Sequence, residues 1–200
     1  MSLQNDLDLL YELGALRLLD RQWVRFHLQG VANLTEHHYR VAWIAMILAK
    51  HEKATATDTI IKMALVHDIG ESRTGDVDYL ARQYVERNEH KAVRDMLLKT
   101  SLGKEMLALW EEYEARESLE AKIVKDADNL DVDLDLREQG ARGNELKKLW
   151  TTQRKFVGDN KLYTKTAQKL HKLIWSDAHS PHDWHIKAPQ NRLNSGDWKQ

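Results

Sequence analysis

Apolar residues recur at intervals of three and four along most of the chain, a periodicity that predicts helices and not strands. Near the start, Leu7, Leu10, Leu13, Leu16 and Leu19 repeat at spacing three, with Gly14 a mild cost to a helix there. The run from Thr35 to His51 places Val41, Ile44, Ala45 and Leu48 on one face, with Thr35 as its N-cap. Ile60, Ala64 and His67 continue the pattern in a helix that Gly70 is placed to end. Polar helices are predicted over 77–99 and 102–116, then a helix from Ser118 to Glu138 that turns Ile123, Val124, Ala127 and Leu134 inward. Two more follow, over 142–156 and 160–176. Both prolines, Pro181 and Pro189, fall in the polar tail, so the body of the chain lacks the strongest helix breaker. The expected architecture is an all-α bundle over 1–177, followed by an irregular tail over 178–200.

At 200 residues, 42 % hydrophobic and 30 % charged, the chain suits one globular domain with a sizeable core. Lys+Arg (30) nearly balance Asp+Glu (31), so no bulk charge recruits a nucleic acid polymer or an anionic membrane. An anionic substrate would need a local basic pocket. The lack of cysteine excludes disulfides, thiolate ligands and a cysteine nucleophile. The start, MSLQNDLDLL, has neither the basic nor the apolar region of a signal peptide. No stretch approaches the ~20 apolar residues that span a bilayer. A cytoplasmic location is expected.

Against this background a few polar residues face the wrong way. His37 shares a face with Val41, Ile44 and Leu48, so its ring points inward, where an unpaired imidazole is costly. His67 follows Ile60 and Ala64 in the same phase, and Asp128 follows Val124 by four. A histidine on an apolar face is more often a hydrogen-bonded core residue, and a His-Asp dipeptide alone carries little information. Three inward polar side chains on three helices, with Asp68 beside one of them, are better explained by one shared cation. Two nitrogens and two oxygens fill part of the shell of Mn²⁺ or Co²⁺, and Mg²⁺, Fe²⁺, Ni²⁺ or Zn²⁺ are further candidates. The remaining positions can hold water and a phosphate oxygen, a combination that points to hydrolysis.

The segments LTEHHYRVA (34–42), MALVHDIGESRTGD (63–76) and EAKIVKDADNLD (120–131) resemble the three signatures of the HD-domain phosphohydrolases, and more narrowly the 5′-deoxynucleotidase branch. The resemblance spans residues 10–138 and rests on Glu36-His37, His67-Asp68 with Glu71 and Gly75-Asp76, and Lys125 with Asp128. It implies an HD-domain helical bundle with a metal site between central helices, held by His37, His67, Asp68 and Asp128. It also implies that Glu71 and Asp76 handle water and protons, which agrees with a carboxylate one turn past the doublet and another after a Thr-Gly turn.

Substrate groups follow from the same comparison. Arg21 and Trp23, in LLDRQWVR (18–25), resemble the Arg-Trp pair that precedes the first histidine in this branch, but Gln22 separates them. Arg25 and Arg17 are alternatives for that arginine. Lys125 lies one turn before Asp128 and is a candidate phosphate ligand. His38 points about 100° away from His37 and is not expected to be a ligand. His179, His182 and His185 in the tail read as a polar segment, and the acidic run 128–136 lacks the central glycine of a calcium loop.

The expected activity is therefore a metal-dependent phosphomonoesterase acting on (deoxy)nucleoside 5′-monophosphates. The alternatives are an HD hydrolase of an alarmone, a cyclic nucleotide or a non-nucleotide phosphate, and a non-catalytic helical module that senses a nucleotide. The seven tryptophans, together with the pairing common in the resembled family, suggest a homodimer.

Overall fold

The computed structural model describes residues 2–26 and 30–187. Its helices, in chain order, are α1 (Leu3–Ala15), α2 (Leu34–Glu52), α3 (Thr57–Val66), α4 (Glu71–Thr74), α5 (Glu89–Leu97), α6 (Gly103–Ala115), α7 (Leu119–Ala141), α8 (Leu146–Leu149), α9 (Thr151–Asn160), α10 (Lys165–Ile174) and α11 (Asp183–Ile186). Short 3₁₀ turns at Leu16–Leu18, Gln22–Arg25 and Ala81–Gln83 fill connections. Among the described residues there is no strand, only an isolated bridge between Asp20 and Asn33. None of the described helices is long and apolar enough to cross a membrane.

The bundle is organised around α7, which packs against α2, α3, α6, α8 and α10. The apolar stripe of α2 (Val41, Ile44, Ala45, Leu48) meets Ile60, Met63 and Ala64 of α3 and Ile123, Val124, Ala127 and Leu130 of α7 in one buried cluster. Removing this surface from water holds the three helices together. A second cluster joins Leu9, Leu16 and Leu34 to Val66, Val93, Leu97 and Trp110. A third gathers Val132, Leu136, Leu146 and Trp150 beside Trp23.

Several boundaries differ from the sequence expectation, each for a local reason. The cap of α2 is Asn33, not Thr35: its side chain accepts from the Glu36 N–H while Glu36 accepts from the Asn33 N–H. In α1 the buried residue is Leu9, and Leu16 is buried on the 3₁₀ turn that follows, whereas Leu7 and Leu10 are exposed. A strict spacing of three drifts around a 3.6-residue helix and cannot stay on one face. The helix expected over 77–99 is only α5. Gly75 takes φ +76°, Asp78 ties the Leu80 and Ala81 N–H groups into a turn, and Asn88 starts the helix afresh. The segment 142–156 is split at Trp150 into α8 and α9. Helix α3 ends at Val66, and Gly70 is right-handed at φ −60°, so it is not a C-cap glycine. Its value is closeness, since a Cβ there would lie 2.8 Å from Val93 Cγ2. The tail holds the short helix α11 before the described residues end, and Arg137 donates to the Ser176 and His179 carbonyls.

Candidate metal centre

Four side chains converge where α2, α3 and α7 meet. His37 projects from the second turn of α2, His67 caps the end of α3, Asp68 opens the turn that follows, and Asp128 sits midway along α7. One ligand atom from each lies within 4.8 Å of all the others. His37 Nε2 is 3.4 Å from Asp128 Oδ1 and 3.6 Å from Asp68 Oδ2, and His67 Nε2 is 3.3 Å from Asp68 Oδ2.

The two imidazoles reveal what the centre is built to hold. His67 Nδ1 lies 2.7 Å from the Ala64 carbonyl, which can only accept, so this nitrogen carries the proton. His37 Nδ1 lies 2.6 Å from Asp131 Oδ2 and donates in the same way. With Nδ1 donating in each ring, the two Nε2 atoms face each other across 3.3 Å beside two carboxylates. Four electron-pair donors aimed at one point repel unless positive charge sits among them. A divalent cation fits that donor set, with room for oxygen ligands besides.

The surrounding electrostatics say the same. Burial and Arg21 oppose charge on His37, yet hydrogen bonds to Asp128, Asp131 and Asp68 prevail and lift its pKa to about 10. Burial would raise Asp68 and Asp128, but His67 and His37 around the first, and Lys125 and His37 around the second, hold both well below the usual carboxylate range. Glu71 goes the other way. Burial, then the charges of Asp68 and Asp76, push its carboxyl up to about 9. His38 is buried against His67 with ring centroids 4.7 Å apart, and burial drives its pKa well below the usual value. It is not part of the converging group.

A cavity of about 330 Å³ opens onto the centre. Glu71 and Asp76 both line it, and each has one buried carboxylate oxygen without a partner, Oε2 and Oδ1 respectively. Arg21 lines it too. Its Nη1 lies 3.2 Å from Asp76 Oδ2 and 3.7 Å from Asp68 Oδ2, while the intervening Gln22 donates its backbone N–H to Asp76. The alternatives lie elsewhere: Arg25 pairs with Asp78, and Arg17 is exposed on a 3₁₀ turn. Trp23 forms part of the wall, braced edge-on by Trp150 at 4.8 Å. Lys125 Nζ is 2.7 Å from Asp128 Oδ2. In the tail, His182 and His185 approach to 3.0 Å, and the central four are the only such group among the described residues.

The sequence reading missed the supports. Asp131 holds His37, Arg40 holds Asp131, and Glu138 holds Arg40 at 2.7 Å, a chain running from the centre to the surface. The available signal was spacing: Asp131 lies three residues beyond Asp128, on the same face of α7. Tyr113, which stacks edge-on to His67 and reaches to 3.5 Å from Asp128 Oδ2, was also missed.

The HD domain profile matches residues 13–171, a span that contains the whole centre. A bovine protein named 5′-deoxynucleotidase HDDC2 is 35 % identical over 141 residues, covering 68 % of this chain and 68 % of its own. The human protein of that name is 35 % identical over 132 residues, 63 % of this chain and 64 % of its own length. A solved structure described as a predicted metal-dependent phosphohydrolase, from Magnetospirillum magnetotacticum, superposes with a TM-score of 0.68 at 25 % identity, covering 86 % of this chain and 92 % of that one.

Proposed function

Because the chain belongs to the HD domain family, we propose that its centre is that of a divalent-metal-dependent phosphomonoesterase, a 5′-nucleotidase releasing phosphate from (deoxy)nucleoside 5′-monophosphates. The observation that carries this reading is the convergence of two facing Nε2 atoms and two carboxylates beside a cavity with cationic side chains in its wall. A metal bound there supplies Lewis-acid polarisation of a phosphoryl oxygen and acidifies water. Mn²⁺ or Co²⁺ suits the mixed nitrogen and oxygen donors.

The chain's own residues would do the rest. Arg21 and Lys125 neutralise phosphate from the Asp68 and Asp128 sides, and Arg21 is aimed by Asp76. Trp23, fixed by Trp150, offers a flat wall to a nucleoside. Glu71 and Asp76 handle the attacking water and the proton taken by the leaving 5′ oxygen, since each keeps one unpartnered oxygen in the buried wall. Exposed Tyr39, Trp43 and Ile47 recur at spacing four on α2, an outward apolar stripe that supports assembly as a homodimer, which light scattering tests.

The test of activity is phosphate release from a panel of nucleoside monophosphates by protein loaded with Mn²⁺ or Co²⁺. Release from deoxynucleotides, abolished by chelation, is expected. Cleavage of an alarmone or a cyclic nucleotide, with every monophosphate left intact, would remove the nucleotidase reading.

A further inference from the structure

Most cations lining the cavity are already satisfied. Arg87 binds Glu71 and the Gly75 carbonyl and pairs with Glu89, and Arg154 grips Asp133. Arg82 donates to the Val77 carbonyl. Arg116 differs. Its Nη2 reaches Glu114 at 3.2 Å, but its Nη1 is buried without a partner, the only cationic nitrogen in that condition among the described residues. A buried donor left unpaired is costly, and it marks a position where an acceptor is expected.

The backbone adds a second observation. Arg116 ends α6 in the left-handed region at φ 56°, where glycine is the cheapest residue. Helix α2 ends in the same way on Lys53, whose side chain is exposed. The Arg116 side chain instead folds back over the Tyr113 ring, its guanidinium carbon 3.4 Å from the ring centre, and stays only 20 % exposed. Tyr113 in turn touches His67 and Asp128. Arg116 is thus propped beside the metal centre, on the side where its charge opposes that of Lys125. Two cations set close together favour an anion between them.

We propose that Arg116 is a phosphate-binding residue of this site: its Nη1 donates to a phosphoryl oxygen turned away from the metal ligands, completing with Lys125 a clamp on the Asp128 side of the cavity. The assignment rests on the phosphomonoesterase reading and adds to it a substrate contact made by this chain's own side chain.

The experiment uses Mn²⁺-loaded wild type, Arg116→Gln, Arg116→Lys and Arg116→Gly, with three readouts: steady-state kinetics on a deoxynucleoside monophosphate, calorimetric affinity for inorganic phosphate, and thermal midpoint. Loss of a charge-assisted donor is expected to raise KM and the phosphate Kd by about ten- to a hundredfold in the Gln and Gly variants. Metal content stays unchanged, kcat moves by less than about threefold, and Lys recovers part of the loss. Arg116→Gly separates binding from folding, because it relieves the left-handed backbone and should keep or raise the midpoint while losing phosphate. Phosphate affinity within about twofold of wild type in the Gln and Gly variants overturns the proposal, as does a wild type that binds no phosphate. If wild type binds phosphate but cleaves no nucleotide, the nucleotidase reading fails and the calorimetric comparison still decides Arg116.

Discussion

His37 and Asp131 stand 2.6 Å apart, joining α2 to α7 through a ring nitrogen that faces away from the metal centre. The carboxylate fixes the tautomer of His37, and Arg40 and Glu138 fix the carboxylate. Replacing Asp131 with Asn keeps the shape but removes the charge that makes His37 a strong donor. Metal affinity should fall by about 10- to 100-fold with the fold retained, measured by metal titration and circular dichroism.

The four converging donors predict a sharper loss. Asp68→Ala or His67→Ala deletes one of four donors, and metal content and phosphate release should vanish together. Chelation of wild type should do the same, with activity returning on adding Mn²⁺ or Co²⁺. A variant that loses metal and keeps full activity would show that the cation takes no part in the reaction.

Glu71→Gln and Asp76→Asn test the proton-handling pair. Both residues line the cavity without belonging to the four-donor group, so metal content should persist while kcat falls by about 10²- to 10⁴-fold. The pH–rate profile should lose one limb in Glu71→Gln. Asp76→Asn should also raise KM, because its partner Arg21 loses the anion that aims it.

The convergence of these side chains was legible because their apolar neighbours fix the helical phase. Once Val41, Ile44 and Leu48 define the inner face of α2, His37 must lie on it, and the same argument holds for Asp128 after Val124. The supports were not legible, because α7 breaks the rule that links polarity to exposure. Packed on several sides, it buries Asp126, Asp131, Asp133 and Asp135, each with its own partners. Asp126 accepts from the Tyr163 and Thr164 N–H groups, and Asp133 from Arg154 and Trp175. An acidic run read by periodicity alone looks like a solvated face. The long helix expected before α5 failed for a similar reason, since Asp78 spends its side chain on two backbone donors that a helix would have used itself.

The Asp133–Arg154 pair predicts an effect on stability. Both residues are buried, and the guanidinium makes two bonds of 2.7 and 2.9 Å to the carboxylate while also reaching the Asn129 carbonyl. Asp133→Ala strands the arginine and the Trp175 N–H, and should cost about 3–5 kcal/mol by denaturant unfolding. Replacing both partners with apolar residues should cost far less, because no charge is left uncompensated.

Asp135 supplies the pH dependence. Burial, with Asp131 and Glu138 nearby on α7, outweighs Arg40 and Gln139 and raises its pKa from an ordinary 3.8 to about 6 in the folded protein. Between those values the folded state holds a proton that the unfolded state has released. Stability contributed at this position is therefore present below pH 4 and falls as pH rises toward 6, the slope having the sign of a folded state that binds more protons. Above pH 6 the folded protein carries the full burden of a buried carboxylate. Asp135→Asn removes it, so the variant should gain about 1–3 kcal/mol relative to wild type at pH 7.5 and little or nothing at pH 4. Comparing the two proteins at each pH cancels every other titrating group. A difference that is flat across this range, or that grows as pH falls, would show that Asp135 is stabilised as a carboxylate by its neighbours.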